Sequence, residues 1–131
     1  MERDVERGNE ILKFGAEKGD PHCQLSLGMS YQDGGYGLPK SSKDARRWLL
    51  AATEQGHAIA GYCLALMSRD EGNDAGYLRY LRGSASKGYD RACYNLGIHY
   101  NRGEHGLQSS TEEAIRVLTP AVERGDASCM G

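Results

Sequence analysis

Ser84-Ala85-Ser86-Lys87 matches the S-x-x-K nucleophile pattern of penicillin-recognising enzymes, in which a lysine stands one helical turn from a serine. It offers the one catalytic reading of the chain, a penicillin-binding or β-lactamase-like enzyme. The companion S-D-N and K-T-G motifs are missing, and Ser84 falls in a slot that holds a small residue throughout the chain, so a packing serine is the better account. His22, His57, His99 and His105 share no helical face with cysteines at ligand spacing, and no metal is expected. The glycines at 34, 35 and 37 form neither a P-loop nor a dinucleotide fingerprint, so no cofactor is expected either.

The elements that carry these residues repeat. Gly19, Gly56, Gly88 and Gly125 are spaced 37, 32 and 37 residues apart, and the segments leading into them, 7–19, 44–56, 76–88 and 113–125, align without gaps. Eight residues before each glycine stands Ile11, Trp48, Tyr80 or Val117, followed every time by leucine: Leu12, Leu49, Leu81, Leu118. Four before it stands Gly15, Ala52, Ser84 or Ala121. After each glycine, offset four holds Cys23, Ala60, Ala92 or Cys129, offset eight Leu27, Leu64 or Leu96, and offset nine Gly28, Ala65 or Gly97. Offsets four, eight and twelve stack on one helical face, and the small residue at nine lets a partner helix come close. Each unit reads as two amphipathic helices ended by a glycine in the left-handed C′ position.

These residues resemble the Sel-one-like repeat, a relative of the tetratricopeptide repeat. The first repeat carries the pattern as Ala16, Gly19, Cys23, Leu27-Gly28, Tyr31, Gly34, Gly37, Ala45, Trp48 and Ala51-Ala52; the middle repeat departs from it, with Ser68 at the tyrosine position and a loop five residues shorter. The resemblance implies an all-α, right-handed α-α superhelix, a solenoid of antiparallel helix pairs. It predicts one repeat domain over 1–131: a capping helix at 4–18 with Ile11, Leu12 and Phe14 as its apolar face, repeats at 19–55, 56–87 and 88–124, and a truncated repeat from 125. First helices are expected at 21–33, 58–70 and 90–102. Second helices are expected to open near Ser41, at 74 and after Ser110-Thr111-Glu112-Glu113, a capping-box sequence. Pro120, inside the last, is expected to bend it.

Charged residues make up 26% of the chain and its net charge is −2, so no nucleic-acid partner is implied. No apolar run reaches membrane-spanning length. The charged start MERDVERGNE cannot be the core of a signal peptide. If residue 1 is the native start, the protein is cytoplasmic. Cys23, Cys63, Cys93 and Cys129 all fall on first helices, whereas secreted members of the resembled family bridge the two helices of one repeat; reduced, mostly buried thiols are therefore expected.

The resemblance implies a scaffold or adaptor that holds a protein or peptide on a concave face lined by first helices, or an immunity-type inhibitor of a partner enzyme or toxin. Offsets three, six, ten, thirteen and fourteen map candidates onto that face. The expected partner-binding set is Gln32, Tyr62, Arg69, Arg91, Tyr94, Asn101 and Arg102, arginines along a groove with Tyr62 and Tyr94 on its floor. The apolar rows at six and ten can instead pad the next repeat.

Overall fold

The computed structural model describes residues 2–123, apart from the side chains of 2–6 and of Tyr36. Among these residues the chain forms seven α-helices and no strand: α1 (Glu2–Glu17), α2 (Pro21–Asp33), α3 (Ser42–Glu54), α4 (Ala58–Asp70), α5 (Asp74–Ser86), α6 (Asp90–Arg102) and α7 (Thr111–Glu123), with one 3-10 turn at Gly35–Gly37. The first-helix boundaries coincide with those the glycine ruler predicts. Gly125, Cys129 and the start of the truncated repeat lie outside the described residues.

Local chemistry sets these ends. Asp20 caps α2 by accepting from the His22 N–H at 2.9 Å, and Pro21 fills the first helical position. Ser41 caps α3 through the Asp44 N–H at 3.2 Å, and Ser110 caps α7 through the Glu113 N–H at 3.1 Å. Only half of the capping box forms: the Ser110 N–H donates to the Tyr100 carbonyl at 2.8 Å, and Glu113 turns to Arg116. α7 runs unbroken through Pro120.

The closing glycines have φ of 94° at Gly19, 87° at Gly56 and 92° at Gly88, a region that L side chains adopt only with strain. At each, the glycine and the residue after it donate the same pair of hydrogen bonds. At the second, the Gly56 N–H reaches Thr53 O at 2.9 Å and the His57 N–H reaches Ala52 O at 3.1 Å; Gly19–Asp20 and Gly88–Tyr89 repeat it on Ala16/Gly15 and Ala85/Ser84. The small residue four before each of these glycines thus supplies the carbonyl that accepts the N–H of the chain reversal, as well as a packing position.

Packing gathers the chain into two compact units, residues 1–60 and 61–131, with the division inside α4. In the first unit α2 and α3 run antiparallel. Gln24, at the start of α2, bonds Gln55 beyond the end of α3, while the Tyr31 carbonyl takes the Ser41 N–H. A Cβ on Gly28 would stand 2.8 Å from Leu49 Cγ and 3.2 Å from the Ala45 carbonyl, so only glycine admits this approach. One core cluster is Ala16, Leu27 and Leu38, with Trp48, Tyr31 and Leu12 packed against it, and Ala45, Leu49 and Ala52 of α3 are buried as well.

The α1 surface corrects one expectation. Leu12 and Ala16 face this core, but Ile11 and Phe14 are 67% and 64% exposed. They lie off the stripe that faces α2.

The second unit repeats the arrangement. A Cβ on Gly97 would stand 2.7 Å from Leu118 Cγ, which brings α6 against α7 as Gly28 brings α2 against α3. Tyr62, Ala65, Tyr77, Leu81, Ala92 and Leu96 form its main core. The short middle loop is accommodated by small residues: Ser68 is buried, its carbonyl takes the Asn73 N–H at 2.8 Å, and a Cβ on Gly76 would lie 3.1 Å from its hydroxyl.

The described cysteines are thiols. Cys93 is buried, whereas Cys23 and Cys63 are half-buried, so burial is less complete than expected.

Candidate functional site

The first-helix surface of the second unit divides by offset. On α4 and α6 its residues at the packing offsets, Leu64 and Ala65 and Ala92, Leu96 and Gly97, are buried. Arg69 and Asp70 on α4, and Arg91, Asn101 and Arg102 on α6, are exposed. Arg69 lies 3.7 Å from Asp70. The two tyrosines expected beside these arginines pack inward. Tyr62 is only 9% exposed; its ring meets Tyr89 edge-on at 5.3 Å, and its hydroxyl accepts from Asn95 at 2.8 Å. Tyr94 is half-buried against Cys93 and Ala121. Row six therefore pads neighbouring helices. Gln32, in the first unit, is half-buried on α2.

The S-x-x-K serine is 2% exposed, and Lys87 lies beyond the end of α5. A serine so enclosed fits the packing slot four before the closing glycine.

Histidines form two clusters that sequence spacing does not reveal. His57 precedes α4, and its Nδ1 accepts the Ala60 N–H at 3.3 Å, the position of an N-cap. The proton is thereby placed on Nε2, which faces His22 Nδ1 at 3.3 Å. Burial, and then the neighbouring His22, push the His57 pKa below the usual histidine range.

In the second unit His99 Nε2 meets the Tyr77 hydroxyl at 2.7 Å and Nδ1 meets Glu104 at 2.9 Å. The carboxylate accepts only, so Nδ1 carries the proton. His105, with φ 57°, packs on both rings and reaches Asp74 at 3.1 Å. The His99 bond holds the Glu104 carboxyl below the usual carboxylate range, and burial raises the Tyr77 phenol. These contacts pin the loop after α6 onto α5. No group of three or more metal-capable side chains is gathered among the described residues.

One cavity of about 460 Å³ opens between α5, α6 and α7. Leu96, Val117 and Pro120 give it an apolar lining; Arg82 and Arg116 stand at it from two different helices. Arg82 donates to the Tyr100 hydroxyl at 3.2 Å. None of the residues expected to bind a partner lines it. A signal for it was present in the sequence: nine residues before a closing glycine stands arginine three times, Arg47, Arg79 and Arg116. The first two lie 4.8 Å over the following aromatic ring, Trp48 or Tyr80, whereas Arg116 is followed by valine.

Comparison with known proteins adds the family. The sequence pattern of the Sel1 repeat matches residues 21–57 and 90–126. A Sel1 repeat protein from Oxalobacter formigenes superposes with a TM-score of 0.77 at 28% identity, over 92% of this chain and 51% of that one. So does c5321, a protective antigen present in uropathogenic Escherichia coli strains displaying an SLR fold, with a TM-score of 0.73 at 26% identity, over 92% of this chain and 26% of that one. The chain thus spans about half and a quarter of these proteins. The fold class they share with it is an all-α helical repeat solenoid.

Proposed function

Because the chain belongs to the Sel1 repeat family, whose helical repeats generally mediate protein–protein interaction, we propose that it is a non-catalytic scaffold holding a protein partner on the polar rows of its first helices. The observation that carries this reading is the division of α4 and α6, where apolar offsets are buried and Arg69, Arg91, Asn101 and Arg102 stand out from the helices. Exposed arginine offers bidentate bonds to carboxylates, so an acidic segment suits the surface. Tyr62 and Tyr94 fix the helices that present these groups; Gln32 is a separate candidate on α2, within the first unit. A reducing compartment such as the cytoplasm fits the described cysteines, Cys23, Cys63 and Cys93, which all lie on first helices.

Arg91→Ala with Arg102→Ala tests it. Both residues are exposed, and exposed charges add roughly 0–1 kcal/mol to stability. Capture of a partner from source lysate is expected to fall while the melting temperature holds. Undiminished capture would remove the first-helix rows as the interface, and a double variant that unfolds would make these arginines structural.

A further inference from the structure

The cavity between α5, α6 and α7 has a filled counterpart in the same chain. Counted from the closing glycines, Val117 occupies the place of Trp48, while Ala85, Leu96 and Tyr100 occupy the places of Ala16, Leu27 and Tyr31. In the first unit, Trp48 packs with Ala16, Leu27 and Tyr31. In the second, the equivalent residues line open space.

A second slot is reduced in the same way. Gln24 sends its side-chain N–H to the Ala16 carbonyl at 3.1 Å; its counterpart Cys93 makes the shorter-armed contact to Ala85 O, at 3.5 Å. Valine for tryptophan and cysteine for glutamine together vacate a slot whose walls are kept. The cavity lies within the range of about 300–1,000 Å³ typical of ligand sites.

The charges at this slot are placed for a ligand. Arg47 lies 4.8 Å over the Trp48 ring, and its counterpart Arg116 lines the cavity. Arg116 bonds Glu113 one turn away; the arginine is well exposed and the glutamate half-buried, and an ion pair at such a surface exchanges for another carboxylate. Arg82 meets the neutral hydroxyl of Tyr100, which leaves its charge uncompensated by that contact. An apolar slot whose counterpart in the first unit holds an indole, with two guanidiniums beside it, is complementary to a ring and a carboxylate carried close together. A C-terminal aromatic residue has both on one Cα.

We propose that this cavity binds the C-terminal aromatic residue of a partner polypeptide. The third repeat receives from outside the ring that Trp48 supplies to the first, with the terminal carboxylate on Arg82 and Arg116. The site lies apart from the first-helix rows, so its failure would leave the scaffold reading standing.

The test is fluorescence anisotropy of N-terminally labelled Gly-Ser-Gly-Ser-Trp on the full chain. Saturable binding with Kd below about 1 mM is expected. Amidation of the peptide C-terminus, or Arg82→Gln with Arg116→Gln, should each weaken binding about tenfold, the latter at unchanged melting temperature. Val117→Trp should fill the slot from within, abolish binding, and hold or raise the melting temperature. Absence of saturable binding, or undiminished binding by Val117→Trp, would overturn the proposal. So would a marked fall in melting temperature for that variant, since it would show the slot too small for an indole. Indole-3-propionate binding as tightly as the peptide would overturn the polypeptide source in favour of a free acid.

Discussion

At the scale of single residues, the histidine before α4 makes a pH-dependent prediction. His57 accepts the Ala60 N–H only while Nδ1 is unprotonated, and a cation at a helix N-terminus opposes the dipole. Its pKa is lowered in the folded chain from the ordinary value of about 6.5. Between those two values the unfolded chain binds more protons, so stability falls as pH drops through about 6.5. Asp20 and Glu104 are lowered carboxylates, and what they contribute is lost only in the more acidic window approached through their folded values. The melting temperature is expected to fall between pH 7.5 and 5.5, about the ordinary histidine value, and His57→Asn, which keeps a capping oxygen, should flatten that fall. An equal fall in the variant would place the titration elsewhere. In the sequence His57 directly follows the closing glycine Gly56, where the next helix begins. The sequence held no sign of the Tyr77–His99–Glu104 chain, whose members are brought together by packing rather than by spacing.

At the scale of helices, the repeat ruler read almost everything, because glycine at C′ is fixed by backbone geometry and the small slots by helix approach. What it could not read was volume. Val117 satisfies the apolar pattern as well as Trp48 does, and only the packed structure shows that one fills the slot and the other leaves a cavity. Nor could it tell which apolar residues of α1 meet α2, since Ile11, Leu12 and Phe14 are close enough on the helix for a small rotation to decide. The same substitution at two glycines checks the approach argument. At Gly97 a Cβ collides with Leu118, so Gly97→Leu should overpack by roughly 1–3 kcal/mol, and even alanine should destabilise. Gly83, inside α5, has nothing within 4 Å of the added atom, so Gly83→Ala should stabilise by about 0.5–1 kcal/mol. Chemical denaturation of both alanine variants should give opposite signs; a stabilising Gly97→Ala would mean that α6 and α7 are farther apart than the geometry places them.

At the scale of the whole molecule, the fold was legible because repetition gives each pattern position several independent readings, whereas the binding surface had only one. Arginine and tyrosine at the same face by offset look alike in sequence, yet burial separates them: Tyr62 joins the core while Arg91 and Arg102 remain outside. With Cys23, Cys63 and Cys93 on α2, α4 and α6, the denatured chain, which has four cysteines, should titrate four thiols; two or none would mean disulfides and an oxidising compartment. The scaffold reading itself is tested most directly by hydrogen–deuterium exchange of the chain alone and with its captured protein partner. Slowed exchange is expected along α4 and α6, at the segments carrying Arg69–Asp70, Arg91 and Asn101–Arg102. Protection confined to α3, α5 and α7, with α4 and α6 unchanged, would contradict it.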